Sequence, residues 1–215
     1  MFLKIKNIPK VSWSSDESFN FKPKLSSSFF LIFGLAIFGL GEGLLILSTT
    51  GNSPWSVLAE GISKNSSLSI GLATFFVSLS VLFLWIFLKQ KPGIGTVLNI
   101  IIIAGMIDIT LTLFDSPSTI LMKYLLAIFS VFLVGIGSGI YLVANLGPGP
   151  RDGLMTGLTK ITKLPIALVR GFLEISVVLA GWFLGGNVGI GTLIFAFGIG
   201  PCVALGLFLV NKLFN

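Results

Sequence analysis

The sequence predicts an all-α, polytopic membrane protein of two inverted three-helix repeats, each with an additional short half-helix. The first observation is composition: 54% of the residues are hydrophobic and 10% are charged, whereas soluble domains carry about 25% charged residues. The second is a set of six apolar segments, each near the roughly 20 residues that a helix needs to cross a bilayer. The third is an alignment of the chain with itself at a constant offset. Together these observations exclude a soluble domain.

The six apolar segments follow a polar and basic N-terminal stretch. Residues 1–28 lack the apolar core and small-residue cleavage site of a signal peptide, so we interpret them as a cytoplasmic tail, disordered or lying on the membrane surface. The segments themselves hold almost no charge and have the length of membrane helices. The predicted spans are roughly 29–48, 68–88, 94–114, 121–144, 165–184 and 188–210.

The Lys and Arg residues predict the orientation of the chain. With the N-terminus inside, 11 of the 14 positive charges fall in cytoplasmic segments, two fall outside and Arg170 lies within a span. Cytoplasmic loops of membrane proteins carry such an excess of Lys and Arg, so we predict that both termini are cytoplasmic. The cytoplasmic set is Lys4, Lys6, Lys10, Lys22, Lys24, Lys89, Lys91, Arg151, Lys160, Lys163 and Lys212.

The second half of the sequence repeats the first at an offset of 96 residues. Phe29–Phe114 aligns with Leu125–Val210 without a gap, and 25 of the 86 positions are identical. The shared glycines and prolines are the specific part, because chance matches between apolar segments are mostly Leu and Ile. We divide the chain into a first membrane repeat at 29–114 and a second at 121–210. Since each copy crosses the membrane three times, we expect the second copy to lie upside down, as in many transporters.

Each repeat contains a half-helix after its first span, at about 53–64 and 149–160. A Ser or Gly suits the N-cap, and Pro suits the first helical position. These helices are too short to cross a bilayer, so they either dip into the membrane or lie at its interface. The N-terminus of a helix favours an anionic or carbonyl-bearing ligand. The motif residues are Ser53, Pro54, Trp55, Gly149, Pro150 and Gly153. Trp55 has an alternative role as an interfacial anchor.

Both repeats carry a GxxxG motif in their first span, at Gly39–Gly43 and Gly135–Gly139. Glycines four residues apart form a flat strip on which helix backbones approach closely. We therefore expect tight packing at these strips. The two helices would lie against each other, or against the half-helices, at the centre of the protein.

Ionisable residues inside membrane spans are costly and are therefore candidates for function. The candidates for a substrate or ion site are Glu42, Asp108, Arg170 and Glu174 in the spans, with Arg151 and Asp152 in the second half-helix. Arg170 and Glu174 are four residues apart and can pair on one helix face, either as a structural pair or within a larger network. None of the six candidates aligns with an ionisable residue in the other repeat. This asymmetry suggests a specific site on a duplicated frame.

Several functional classes are disfavoured by what the sequence lacks. Histidine is absent and Cys202 is the single cysteine, which removes the usual general base and any multi-cysteine metal site. No Ser or Cys nucleophile stands beside a recognisable base, so we expect no enzymatic activity, metal or cofactor. The net charge of +6 forms no basic stripe with interleaved aromatics. The expected partner is the lipid bilayer and not nucleic acid.

Several motifs of this chain resemble those of a known family. They are Gly147-Pro148-Gly149-Pro150-Arg151-Asp152-Gly153-Leu154, Leu168-Val169-Arg170 with Glu174, Gly189-Ile190-Gly191-Thr192, Ser53-Pro54-Trp55 and the Gly105 to Asp108 segment. On these motifs, residues 29–210 resemble the YczE/YyaS/YitT group of bacterial membrane proteins, with the YczE branch the best match. The resemblance implies a location in the bacterial inner membrane. In that family an acidic residue usually follows the first-half motif, where this chain has Ser56.

Two functions fit these observations. One is a small-solute transporter or channel with its site at the repeat interface; the other is a non-transporting accessory or regulatory protein that supports a biosynthetic or export complex. The ligand of a transporter would be a small molecule or an ion, with an anion among the options, and the oligomeric state is left open. Half-helices that meet around a polar cavity would favour transport. Half-helices that lie flat above a dry bundle would favour the accessory role.

Overall fold

A computed structural model describes residues 8–214, and every regular element within them is a helix. The apolar composition of the chain explains this, because a helix satisfies all of its own backbone polar groups in lipid. The helices are α1 (Leu25–Ser48), α2 (Pro54–Lys64), α3 (Ile70–Leu84), α4 (Ile94–Leu113), α5 (Ile120–Ala144), α6 (Pro150–Thr162), α7 (Ile166–Phe183) and α8 (Ile190–Phe214).

Five helices in the described chain, namely α1, α4, α5, α7 and α8, are long and apolar enough to cross a membrane. The chain is thus a multi-pass membrane protein. The remaining predicted span, 68–88, contains the shorter α3, which has 15 residues and is about 22 Å long. Helix α3 ends where Trp85 turns its indole towards α6 and donates a hydrogen bond to the Pro150 carbonyl at 2.9 Å. Residues 85–89 continue as turns.

The offset of 96 residues also relates the helices of the two halves. Helices α2, α3 and α4 begin at Pro54, Ile70 and Ile94, and α6, α7 and α8 begin at Pro150, Ile166 and Ile190. Helices α1 and α5 both end in a residue with a left-handed backbone, Thr49 and Asn145. The two half-helices of the prediction are present as α2 and α6, each with Pro as its first residue.

Helices α1 and α5 cross in opposite directions at the centre of the bundle. A Cβ added to Gly34 would lie 2.7 Å from the Tyr141 backbone nitrogen, and one added to Gly41 would lie 2.9 Å from the Val134 nitrogen. Because residue numbers rise along α1 as they fall along α5, the helices are antiparallel. Gly137 lies at the same crossing, and a Cβ there would lie 2.6 Å from the Gly34 carbonyl oxygen. Glycine permits this close approach of the two backbones.

The GxxxG strips pack against other helices than those we predicted. Gly39 and Gly43 face α4, where added Cβ atoms would lie 2.6 Å from the Cβ atoms of Met106 and Thr110. Gly135 and Gly139 face α8, at Cys202 and Gly206. Helices α1 and α5 do contact each other as expected, but through Gly34, Gly41 and Gly137. The prediction was wrong about the strips because neighbouring helical residues point about 100° apart, so one helix presents glycines to two partners.

The two halves interlock through their loops. The Leu146 carbonyl accepts a hydrogen bond from the Gly95 nitrogen at 2.7 Å, and the Thr50 carbonyl accepts one from the Gly191 nitrogen at 2.8 Å. The loop after α1 therefore lies on the start of α8, and the loop after α5 lies on the start of α4. Gly51 takes φ +121, and a Cβ there would lie 2.5 Å from the Gly189 nitrogen. Only glycine combines that conformation with that contact.

The N-terminal segment packs on the bundle through Val11 and Trp13, which belong to its hydrophobic core, instead of standing free of it. The Trp13 ring stacks on Phe30 with 4.3 Å between ring centroids. The Asn145 amide donates to the Ser15 carbonyl and accepts from the Ser18 hydroxyl, both at 2.8 Å. Helix α1 begins at Leu25, before the predicted residue 29. Lys4 and Lys6, which entered the orientation prediction, lie outside the described residues.

Candidate functional site

A cavity of about 200 Å³ lies in the helix bundle, and the N-termini of both half-helices border it. Ser53, Pro54 and Trp55 approach from α2, and Gly149 and Pro150 from α6. The two half-helices come from different halves of the chain, so the cavity lies between those halves. Five of the six ionisable candidates line the cavity, namely Glu42, Arg151, Asp152, Arg170 and Glu174.

Glu42 caps the start of α2 from the neighbouring α1. Its Oε2 accepts hydrogen bonds from the Ser53 hydroxyl at 2.7 Å and from the Ser56 hydroxyl at 2.6 Å. The Glu42 side chain is 1% exposed, and its Oε1 has no hydrogen-bond partner among residues 8–214. Glu42 precedes Ser48, the end of α1, by about 9 Å of helix rise. The chain therefore returns into the bundle before α2 begins.

Asp152 occupies the first turn of α6, where its charge opposes the positive end of the helix dipole. Its Oδ2 accepts a hydrogen bond from the Tyr141 hydroxyl of α5 at 2.8 Å. A Cβ added to Gly149 would lie 3.2 Å from this same Oδ2 and 3.2 Å from the Asn99 amide nitrogen. The absence of a side chain at Gly149 thus brings Asn99 and Asp152 close to the helix start.

Arg151 joins the two half-helices. Its guanidinium carbon lies 5.2 Å from the centroid of the Trp55 ring, within the range of a cation–π contact. Within the described chain no carboxylate oxygen lies within 4.0 Å of this guanidinium. It interacts at longer range with the carboxylates of Glu42, Asp152 and Glu174. Trp55 is 6% exposed, so its role as an interfacial anchor is excluded.

Arg170 and Glu174 form the predicted pair on α7, with 2.8 Å between Arg170 Nε and Glu174 Oε1. The Arg170 side chain is 46% exposed. It also borders a second cavity of about 280 Å³ beside α8, which shares Arg170, Ile199 and Val203 with the first. The pair thus lies where the central cavity opens between α7 and α8.

Asp108 lies outside the cavity. Its carboxylate accepts hydrogen bonds from the Ser69 hydroxyl and from the Gly71 backbone nitrogen, the latter at 2.8 Å. These two donors stand at the start of α3, where backbone N–H groups lack a partner within the helix. The structure therefore gives Asp108 a role in fixing α3 and does not bring it to the other candidates.

Gly153 also lies outside the cavity lining. A Cβ there would lie 1.9 Å from the Trp85 ring, so this motif residue makes room for the indole that ends α3. Four further polar residues line the cavity and were not among the predicted site residues, namely Ser78, Asn99, Ser138 and Tyr141. Two of them could have been identified from the sequence. Asn99 and Tyr141 are polar residues in apolar spans, and the residues aligned with them in the other half are the apolar Phe195 and Leu45.

Comparison with known proteins identifies the family. A family model described as "Family of unknown function (DUF6198)" matches residues 25–207. A Haemophilus influenzae protein described as uncharacterized is 40% identical over 210 residues, which cover 98% of this chain and 95% of the relative. The Bacillus subtilis membrane protein YczE is 32% identical over 78% of this chain and 79% of its own length.

A second Bacillus subtilis protein, YyaS, is 31% identical over 75% of this chain and 82% of its own length. No solved structure matches the chain. The similarity to YczE and YyaS confirms the relationship inferred from the Pro-Arg-Asp-Gly motif and its companions. The chain therefore belongs to the DUF6198 family and is a relative of the membrane protein YczE.

Proposed function

We propose that this protein is a small-solute transporter of the bacterial inner membrane, and that it binds a small anion at Arg151 between its two half-helices. One observation carries the proposal: the Arg151 guanidinium, which lacks an ion pair within 4.0 Å in the described chain, borders a cavity that is also lined by the N-termini of both half-helices. Buried charges in membrane proteins are normally paired. The carboxylates around Arg151 interact with it at longer range, so its N–H groups are available to a ligand of opposite charge.

The chemistry of the cavity supports an anion. Arg151 presents a planar set of N–H donors that suits carboxylate and phosphate groups, and the Trp55 ring holds that plane from one side. The N-terminus of α6 adds a partial positive charge. A water molecule occupies about 30 Å³ in the liquid, so the cavity has space for on the order of six or seven waters, or for one small solute.

The symmetry of the helices supports alternating access. Helices α1 and α5 are equivalent in the duplicated sequence and cross antiparallel, as an inverted repeat requires. Inverted repeats place their sites near the middle of the membrane, at discontinuous or re-entrant helices. In this proposal α2 dips from the outside and α6 from the cytoplasm, with both chain termini cytoplasmic as the distribution of Lys and Arg indicates.

An asymmetry between the halves supports a moving element. Helix α3 packs closely on α4, since a Cβ added to Gly71 would lie 2.4 Å from the Ala104 carbonyl oxygen. Its equivalent α7 stands away from α8, and among its 18 residues the buried ones are Val169 and Gly181. Helix α7 packs instead on α2, where a Cβ added to Gly181 would lie 2.5 Å from the Leu58 nitrogen, so a movement of α7 would open the side that faces α8. We assign α7, with Arg170 and Glu174, to the gate of the cavity.

The experiment is a binding screen of the full chain in lipid nanodiscs. Thermal shifts are measured with acetate, lactate, succinate, phosphate, sulfate, glycine and glutamate, and any anion that binds is then tested for uptake into proteoliposomes. We expect a stabilising anion whose effect disappears in Arg151→Gln. The matched control is Lys160→Gln, which removes one positive charge from the exposed end of the same helix. If no anion stabilises the wild type, or if the two variants behave alike, the accessory role replaces transport.

A further inference from the structure

Each half of the protein holds one carboxylate at the start of its half-helix, but on a different helix. In the first half Glu42 of α1 reaches Ser56, the third residue of α2, at 2.6 Å. In the second half the position of Glu42 is taken by Ser138, and the position of Ser56 by Asp152. Acid and hydroxyl are thus exchanged between equivalent positions. Glu42, Ser138 and Asp152 line one cavity, and Ser56 is hydrogen-bonded to Glu42. Glu42 supplies the acid that position 56 lacks.

The two carboxylates have different surroundings. Asp152 is partly exposed, follows Arg151 directly and accepts a hydrogen bond from the Tyr141 hydroxyl. Glu42 is 1% exposed, and both of its hydrogen bonds fall on Oε2. Its Oε1 is enclosed by protein and has no hydrogen-bond partner within residues 8–214. A buried carboxylate oxygen without a partner carries a large desolvation cost.

The charged groups that face Glu42 come from two of the elements around it. From α6 these are Arg151 and Asp152, and from α7 they are Arg170 and Glu174. Helix α5 contributes the Tyr141 phenol, whereas α2 and α4 contribute uncharged polar groups to the cavity and α8 contributes apolar ones. The lining thus holds two guanidinium groups and three carboxyl groups, so the fully ionised cavity carries one net negative charge. An interior of low dielectric favours neutralising it.

A proton fits this requirement better than a metal ion. A metal cation such as Ca²⁺ takes about six to eight oxygen ligands. The described chain contains no group of three His, Cys, Asp or Glu residues that could hold a metal. The Oε1 atom is buried and without a hydrogen-bond partner among the described residues, and a proton binds there without additional volume. We propose that Glu42 is a proton-binding group, and that its protonation is coupled to binding of an anion at Arg151.

The coupling follows from charge balance and rests on the proposed function. Hydronium transfers its proton to the Glu42 carboxylate, an O–H bond forms, and one water is released. The cavity then loses one negative charge, and Arg151 loses one of the carboxylates with which it interacts. An anion can take that place at Arg151, so proton and anion bind together and move in the same direction.

Proton binding is tested first without any substrate. Infrared difference spectra of the full chain in nanodiscs are recorded across the pH range in which the protein stays folded. We expect the carbonyl stretch of a protonated carboxyl group that changes with pH in the wild type, disappears in Glu42→Gln, and persists in Asp115→Asn, whose side chain is exposed. A spectrum that is the same in wild type and Glu42→Gln, or a Glu42 band that never changes with pH, overturns the assignment.

Coupling is then tested with the anion found in the binding screen. One unit of inwardly directed pH gradient corresponds to about 1.4 kcal/mol, or tenfold accumulation for one proton per anion. We expect this accumulation in the wild type. We expect Glu42→Gln to bind and exchange the anion without any response to the pH gradient. The variant Glu42→Ser should lose the response as well. The double variant Glu42→Ser with Ser56→Asp, which copies the arrangement of the second half, should regain it.

The outcomes separate the two proposals. If the wild type binds no anion, the proposed transport function is wrong. The infrared experiment still decides whether Glu42 binds a proton, because it uses no anion. If the anion is bound and transported but Glu42→Gln still follows the pH gradient, the coupling role of Glu42 is excluded. Thermal unfolding of each variant distinguishes a lost response from a lost fold.

Discussion

The guanidinium carbon of Arg151 lies 5.2 Å from the centre of the Trp55 ring, and this contact joins two half-helices that are about 96 residues apart in the chain. Sequence alignment places the same two residues at one equivalent position of the repeat. A cation in one half and an aromatic ring in the other thus occupy aligned positions and contact each other. The contact exists only because both half-helices begin in the interior of the bundle.

The Trp55 ring should contribute to anion affinity through Arg151. Replacing Trp55 by Ala removes a cation–π contact of about 0.5–2 kcal/mol, so we expect the dissociation constant of the anion to rise by about 2- to 30-fold. Trp55→Phe should recover part of the affinity, because it retains an aromatic face. Titration calorimetry in nanodiscs measures both variants. Trp182→Phe, on the exposed side of α7, is the control, and equal effects of Trp55→Ala and this control would contradict the prediction.

The crossing of α1 and α5 should not tolerate a methyl group. In Gly137→Ala the new Cβ would lie 2.6 Å from the Gly34 carbonyl oxygen, and overpacking of this kind costs about 1–3 kcal/mol. We expect a lower unfolding temperature in detergent. The control is Gly105→Ala in α4, where nothing lies within 4 Å of the added Cβ and the higher helix propensity of Ala applies. A Gly137→Ala protein as stable as wild type would disprove the antiparallel contact.

Substitution of Gly51 should destabilise the protein more than substitution of Gly185, which also has a positive φ but no close neighbour. Gly51 has φ +121 and Gly185 has φ +89, so Ala is strained at both. At Gly185 the nearest atom is 3.9 Å away, whereas at Gly51 it is the Gly189 nitrogen at 2.5 Å. We expect Gly185→Ala to cost about 1 kcal/mol of stability and Gly51→Ala clearly more. Similar unfolding temperatures of the two variants would exclude the tight loop contact between the halves.

Asp108 should affect stability and leave ligand binding unchanged. Asp108→Ala removes the acceptor for the Ser69 hydroxyl and the Gly71 nitrogen, and loss of such a cap costs about 0.5–2 kcal/mol. Thermal unfolding should therefore occur at a lower temperature, while the affinity for the anion stays within about twofold, a difference of about 0.4 kcal/mol. Asp115→Ala, at an exposed position, serves as the control. A selective loss of anion binding in Asp108→Ala would return Asp108 to the list of site residues.

Asn145 should hold the N-terminal segment in place. Asn145→Gly keeps the left-handed backbone, φ +53 in the native chain, and removes the amide that bonds to Ser15 and Ser18. We expect faster cleavage by trypsin after Lys24. Thr49→Gly is the matched control, because Thr49 is the equivalent left-handed residue of the first half. If the two variants are cleaved at the same rate, the hydrogen bonds of Asn145 do not restrain the segment.

Much of the architecture was available from local pattern. The starts of α2, α4 and α6 follow from Pro and Gly signals and agree with the structure within about a residue, and the Arg170–Glu174 pair follows from i,i+4 spacing. The partners of Gly39 and Gly135 were not available, because a small-residue strip does not say which neighbour it faces. The packing of Trp13 on Phe30 depends on contacts of the folded bundle.

The sequence by itself determined that this is a multi-pass helical membrane protein with short helices that begin at Pro54 and Pro150. Hydrophobic length and capping residues are properties of neighbouring residues, and lipid leaves the backbone no alternative to the helix. Only the tertiary structure decided which polar residues meet. It brought Glu42 to Ser56 and Arg151 to Trp55, and it kept Asp108 at the start of α3, because helix rotation and loop packing depend on contacts between distant segments.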